Sequence, residues 1–177
     1  MKKNAIGKNK HKGMEIILPH DFFQTLKDKR ILLDTSVFID ASLHDLQFKK
    51  FFNAIRNCPA DLVSLDVVRM EFLKGVPNSE RYFEKELFFN EIISACLPIT
   101  EAIFTHGYRL IQQYKEDGKT ASVTDLLLGA ALMTYKENLL LLTKNTTDFP
   151  TNIFSLVSHI NIVYRKGLHS YGLYAAR

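Results

Sequence analysis

Apolar residues along the chain fall in two rhythms. Short continuous runs, "ILLDTSVF" (31–38), "DLVSL" (61–65), "LLLLT" (139–143) and "INIVYR" (160–165), predict buried β-strands, with "CLPI" (96–99) as a weaker one. Between them, apolar positions recur every three or four residues, as one face of a helix requires. This period predicts helices over "FIDASLHDLQFKKFFNAIRN" (38–57), "DVVRMEFLKG" (66–75), "SERYFEKELFFNEIISA" (79–95), "TEAIFTHGYRLIQQYKED" (100–117) and "SVTDLLLGAALMTYKEN" (122–138). Asp66 and Ser79 stand where N-caps belong, and Gly75 where a helix stops. The helix over 122–138 is apolar on nearly every face, so it is expected to be buried. "PHDFFQTLKDKR" (19–30) reads as a short helical lead-in. Strands alternating with helices predict an α/β domain: a three-layer α/β/α sandwich with a central, mostly parallel sheet of about five strands. Its expected span is 31–177, after a tail and lead-in over 1–30.

Length and charge narrow the picture. The 177 residues suffice for one domain with its own core and no stapling disulfide or metal. Cys58 and Cys96 lie far apart in apolar surroundings and read as buried free thiols of a reducing compartment. The formal charge of +4 comes from the tail, since Lys2, Lys3, Lys8, Lys10 and Lys12 account for five positive charges. The body is close to neutral, so a pI of about 9.0 does not make the whole chain a nucleic-acid binder. No run approaches the roughly 18 apolar residues of a membrane span, and "EIIL" is too short for a signal peptide. A cytoplasmic protein without a membrane partner is expected.

The chemistry lies in the acids. Asp34 interrupts the first apolar run, where an ionised carboxylate needs a partner or a cation. Thr35 and Ser36 follow it with two hydroxyl donors. Glu71 falls between Val67 and Val68 on the helical wheel, on the apolar side of its short helix. Asp125 opens the buried helix, and "SVTD" equally fits a capping box in which it only satisfies the helix start. Asn145 and Asp148 lie in the loop after "LLLLT". Ligands of open parallel sheets bind at the carboxyl ends of the strands, where these positions can meet. Gathered carboxylates repel one another, and a hard divalent cation, Mg²⁺ or Mn²⁺, relieves that repulsion.

The pieces "LLDTSVFID", "VVRMEFLKG", "SVTDLLLGAAL" and "LLTKNTTDF", in that order, resemble the PIN-domain ribonucleases, and among them the VapC-type toxins of toxin–antitoxin pairs. The resemblance spans about 31–165. It implies a metal-dependent endoribonuclease that cleaves single-stranded RNA. Asp34, Glu71 and Asp125 fall on the family's metal-binding acids. Asp148 before Phe149 matches a toxin-like variant of the fourth site, with Asn145 as its neighbour. Thr35 and Ser36 would orient ligands, and Arg69, Lys74 and Lys144 are candidate phosphate contacts. The implied partners are RNA and a cognate antitoxin. Surplus aromatic surface on "RYFEKELFFNEIISACL" would be covered by that antitoxin, by a second copy in a homodimer, or by the core itself.

Competing readings are an RNA-processing nuclease outside a toxin system and a non-catalytic module that binds RNA or protein. Two phosphoryl-transfer patterns are incomplete. Phosphatases of the haloacid dehalogenase type need a D-x-D, and here Ser36 takes the second acid's place. Response-regulator receivers need an acid pair before the phosphoryl aspartate and a late strand-end lysine.

Overall fold

The computed structural model describes residues 15–118, 120–164 and 167–177, which leaves the lysine-rich tail outside. In chain order the elements are β1 (Glu15–Ile17), α1 (Phe22–Thr25), β2 (Arg30–Leu33), α2 (Thr35–Leu43), α3 (Asp45–Arg56), β3 (Asp61–Leu65), α4 (Asp66–Leu73) and α5 (Ser79–Ile92). β4 (Ala95–Leu97), α6 (Glu101–Glu116), α7 (Val123–Tyr135), β5 (Leu139–Thr143), β6 (Phe154–Tyr164) and β7 (Gly167–Ala176) follow. One seven-stranded sheet runs β1-β6-β7-β5-β2-β3-β4.

Its centre is parallel. β2 pairs with β5 on one side and β3 on the other, and β3 pairs with β4. Every residue of β5 is buried, as are Ile31, Leu32 and Leu33 of β2. Adjacent strand residues point to opposite faces, so burial of consecutive residues means that helices cover both. The three-layer α/β/α sandwich read from the sequence is the observed architecture. Chain order reverses at β2, which opens a crevice beyond the carboxyl ends of β5, β2 and β3.

The core is rich in phenylalanine. Phe38 of α2 stacks on Phe89 of α5 with centroids 4.4 Å apart, and Phe72 of α4 joins them. α7 lies against α6 and the sheet through Gly129. A Cβ there would meet the Phe154 ring at 2.8 Å and Leu110 at 3.1 Å.

Several boundaries differ from expectation. "ILLDTSVF" is not one strand: β2 stops at Leu33, and Asp34 accepts the Thr35 amide as the N-cap of α2. That local bond competes with strand pairing. The long helix over 38–57 breaks at His44, whose backbone (φ −133°, ψ 43°) is not helical. The cap of α5 is Asn78, whose side chain accepts the Arg81 amide, and Ser79 is the first helical residue. Asp66 likewise sits in the first turn of α4, and Leu65 occupies the cap. Gly75 does end its helix, in the left-handed region at φ +79°.

The sheet has seven strands where about five were expected. "INIVYR" lies in the longer β6, except for Arg165, which falls outside the described residues. β6 and β7 form an antiparallel hairpin, with β7 also antiparallel to β5. β1 pairs antiparallel with β6, and Phe22 and Leu26 enter the core, so the lead-in packs on the domain. Cys58 and Cys96 are half-buried rather than buried, and burial pushes the Cys96 thiol up to about 11. Among the described residues, no helix is long and apolar enough to cross a membrane.

Candidate active site

Asp34 follows β2 at the seam with β5, where its amide donates to the Leu142 carbonyl at 3.2 Å. Its carboxylate is 5% exposed and well supplied with donors. Oδ1 accepts the Thr35 amide at 2.6 Å. Oδ2 accepts the Ser36 and Thr143 hydroxyls, each at 2.7 Å. Those hydroxyls are held in turn, since the Lys144 amide donates to Ser36 Oγ at 3.2 Å and the Asn145 amide to Thr143 Oγ1 at 2.9 Å. The buried acid is thus compensated by hydroxyls from α2 and from the end of β5.

Glu71 departs from the helical-wheel reading: it is exposed at the rim rather than set in the apolar face of α4. α4 is only two turns long, and its inward positions are taken by Val68, Phe72 and Leu73. Glu71 still faces the crevice, since the Thr35 hydroxyl donates to its Oε2 at 2.6 Å. Thr35 therefore ties the start of α2 to α4.

Asp125 is 7% exposed. Ser122 caps its helix by accepting the Asp125 amide at 3.1 Å, and its hydroxyl donates to Asp125 Oδ2 at 2.5 Å. The residue is a capping acid and a member of the acid cluster at once. Its carboxyl is held above the usual range. Burial is the main cause, and the negative charges of Asp34, Asp148 and Glu71 add to it, while the Ser122 hydrogen bond opposes. All four acids therefore share one electrostatic neighbourhood.

Asp148 ends a short 3₁₀ turn, Thr146–Asp148, after β5. The Asn145 side-chain amide donates to its Oδ2, so these two fourth-site candidates form one unit. Tyr114 of α6 fixes the turn by donating to the Asp148 carbonyl at 2.6 Å. Burial raises the Tyr114 phenol, and the charges of Asp148 and Asp125 add to this.

The three nominated cations differ. Arg69 is paired with Glu86. Lys144 reaches Asp40 at 2.9 Å, and the Tyr171 hydroxyl of β7 donates to the same carboxylate oxygen. Lys74 is exposed and makes no ion pair among the described residues. The sequence reading missed Thr143, Tyr114, and the Asp40 and Tyr171 that hold Lys144. Only Thr143 left a signal, as the one hydroxyl in a leucine run.

Among the described residues, no three carboxylates converge tightly enough to grip one ion. Each instead accepts a hydrogen bond from a neighbouring hydroxyl or amide. The donor set still suits a hard divalent cation, being carboxylate oxygens backed by hydroxyls. No hydrogen bond among the described residues engages Glu71 Oε1, Asp125 Oδ1 or Asp148 Oδ1.

Residues 31–150 match the PIN domain family, and the chain belongs to that family of nucleases. Nothing among curated proteins matches it. Two solved structures share the fold. One is a chain of VapBC2 from Rickettsia felis bound to a DNA fragment from their promoter, with TM-score 0.56 and 18% identity over 68% of this chain and 90% of that one. The other is a chain of VapBC-1 from nontypeable Haemophilus influenzae, with TM-score 0.54 and 21% identity over the same shares. β1, β6 and β7 lie outside the family match.

Proposed function

We propose that the protein is a metal-dependent endoribonuclease that cleaves single-stranded RNA, acting in the cytoplasm as the toxin of a toxin–antitoxin pair. One observation carries this reading: the charges of Asp34, Glu71 and Asp148 all bear on the buried Asp125, and all four acids lie in the stretch that matches the PIN family. Asp34, Glu71 and Asp125 would hold Mg²⁺ or Mn²⁺. When bound, such an ion supplies an acidified water and neutralises charge on the phosphate. Thr35 and Ser36 orient one carboxylate oxygen each, on Glu71 and Asp34, and the acids would draw together on taking up an ion. Asn145 and Asp148 complete the rim. Of the three cations, Lys74 is assigned to RNA phosphate, because Arg69 and Lys144 are engaged by carboxylates.

The toxin reading draws support from the shared fold with VapBC chains. Phe83 and Leu87 of α5 and Phe104 and Tyr108 of α6 leave apolar surface exposed, which an antitoxin or a second copy would cover. The decisive experiment titrates Mn²⁺ and Mg²⁺ against a fluorogenic single-stranded RNA. Cleavage should depend on metal and vanish in Asp34→Asn. Metal-independent turnover, or none with either ion, defeats the proposal. Growth arrest on expression, relieved by the product of an adjacent gene, tests the toxin role separately.

A further inference from the structure

A groove of about 730 Å³ opens directly beside Glu71, between α4 and α5 and bordered by Thr124 of α7. Its volume is in the range of pockets for a small ligand. One end meets the acids, since Glu71 lines it and Thr124 precedes Asp125. Its walls mix charged residues with apolar ones that are open to solvent: Met70 is 73% exposed and Tyr82 is 44% exposed. Lys74 lies on the same rim. Of the other charged lining, Arg69 is already engaged by Glu86.

We infer that this groove receives the base of one nucleotide of single-stranded RNA next to the bond that is cut, with Tyr82 as stacking platform and Lys74 on the adjoining phosphate. The inference rests on the nuclease reading and names the substrate contact that the acids cannot provide. Carboxylates and metal see only phosphate, so they hold no unpaired base in place. A flat ring and a soft thioether offer stacking to any base. Continuity with the acid cluster selects RNA as the occupant. A strand with its phosphate at Glu71 must lay its neighbouring nucleotide somewhere, and this groove adjoins that point with one cation at its edge.

The test uses the full-length protein and a short RNA that it cleaves. Tyr82→Ala should raise KM about tenfold and leave kcat within about twofold, the scale of one lost base stack. Tyr82→Phe should behave as wild type. An abasic nucleotide at one position beside the cut should raise the wild-type KM by a similar factor and do nothing further to Tyr82→Ala. Tyr82→Leu, which keeps bulk without the ring, should match Tyr82→Ala and guards against a folding defect. Unchanged KM in both ring-deleted variants, or abasic effects that add to theirs at every position, overturns the subsite and leaves the groove to a protein partner. A wild type that neither binds nor cleaves RNA overturns the nuclease reading itself, a distinguishable failure.

Discussion

Asp34 and Asp125 should respond oppositely to the same substitution, although both are buried acids of one cluster. In Asp34→Asn the amide has two orientations, and each breaks something. With nitrogen in place of Oδ2, the Ser36 and Thr143 hydroxyls lose their acceptor, and Thr143 is fully buried. With nitrogen in place of Oδ1, the group faces the Thr35 amide donor and the cap of α2 is lost. A hydrogen bond to a charged group contributes about 1.5–3 kcal/mol, and a lost N-cap costs about 1 kcal/mol. Relief of repulsion among the acids offsets part of this. The net loss should be about 2 kcal/mol, or roughly 4–8 °C in Tm for a domain of this size. Asp125→Asn loses little, because the amide oxygen can accept the Ser122 proton that Oδ2 accepts now. It also removes a buried charge. The Asp125 carboxyl lies above its ordinary value of 3.8 in the folded protein, so folding favours its protonated form. Wild-type stability from this group is complete below pH 3.8 and is lost as pH rises through the folded value. The advantage of Asp125→Asn should therefore be absent in acid and full at neutral pH. Thermal melts in EDTA across a pH series measure both effects. An Asp34→Asn protein as stable as wild type, or an Asp125→Asn protein less stable at pH 7, would refute the reasoning.

Metal should reverse the repulsion. A hundredfold excess of Mn²⁺ over its Kd should stabilise the wild type by about 2.7 kcal/mol, seen as a higher Tm, and both Asn variants should lose most of that gain. At the fourth site, Asp148→Asn should weaken Mn²⁺ binding by about 10–100-fold and more than Asn145→Ala does, as calorimetric titration would show; an Asp148→Asn affinity unchanged from wild type would remove Asp148 from the site. Gly129→Ala should destabilise by about 1–3 kcal/mol in denaturant melts, because its new Cβ meets the buried Phe154 ring at 2.8 Å. A melting curve equal to wild type would mean that α7 can move off the sheet freely.

Local pattern made the parallel half of the fold legible. "DLVSL" and "LLLLT" became strands with the bounds expected, because fully buried parallel strands are continuous apolar runs. β7 was illegible for the converse reason. "GLHSYGLYAA" mixes glycine, alanine and polar residues, and only its pairing with β5 and β6 makes it a strand. The acids were found because a charge inside an apolar run is conspicuous. Their exposure was harder to read: Glu71 stood out on a helical wheel, but a helix as short as α4 shields only one side. The N-cap role of Asp34 was hidden by the β-branched residues around it, which read as strand on both sides of the boundary.

The hairpin that the sequence did not announce bears on the site after all. Tyr171 of β7 donates to Asp40, Asp40 holds the Lys144 side chain, and the Lys144 amide donates to Ser36, which donates to Asp34. β7 also pairs with Thr143 through Gly172, at the strand end that supplies the second hydroxyl to Asp34. The loop with Asn145 and Asp148 leaves β5 immediately after these two anchored residues. A polar chain of this kind is strongest when every member is satisfied, and each link here has its partner. The β6–β7 addition therefore holds the Lys144 side chain through Asp40, at the strand end whose hydroxyl supports Asp34.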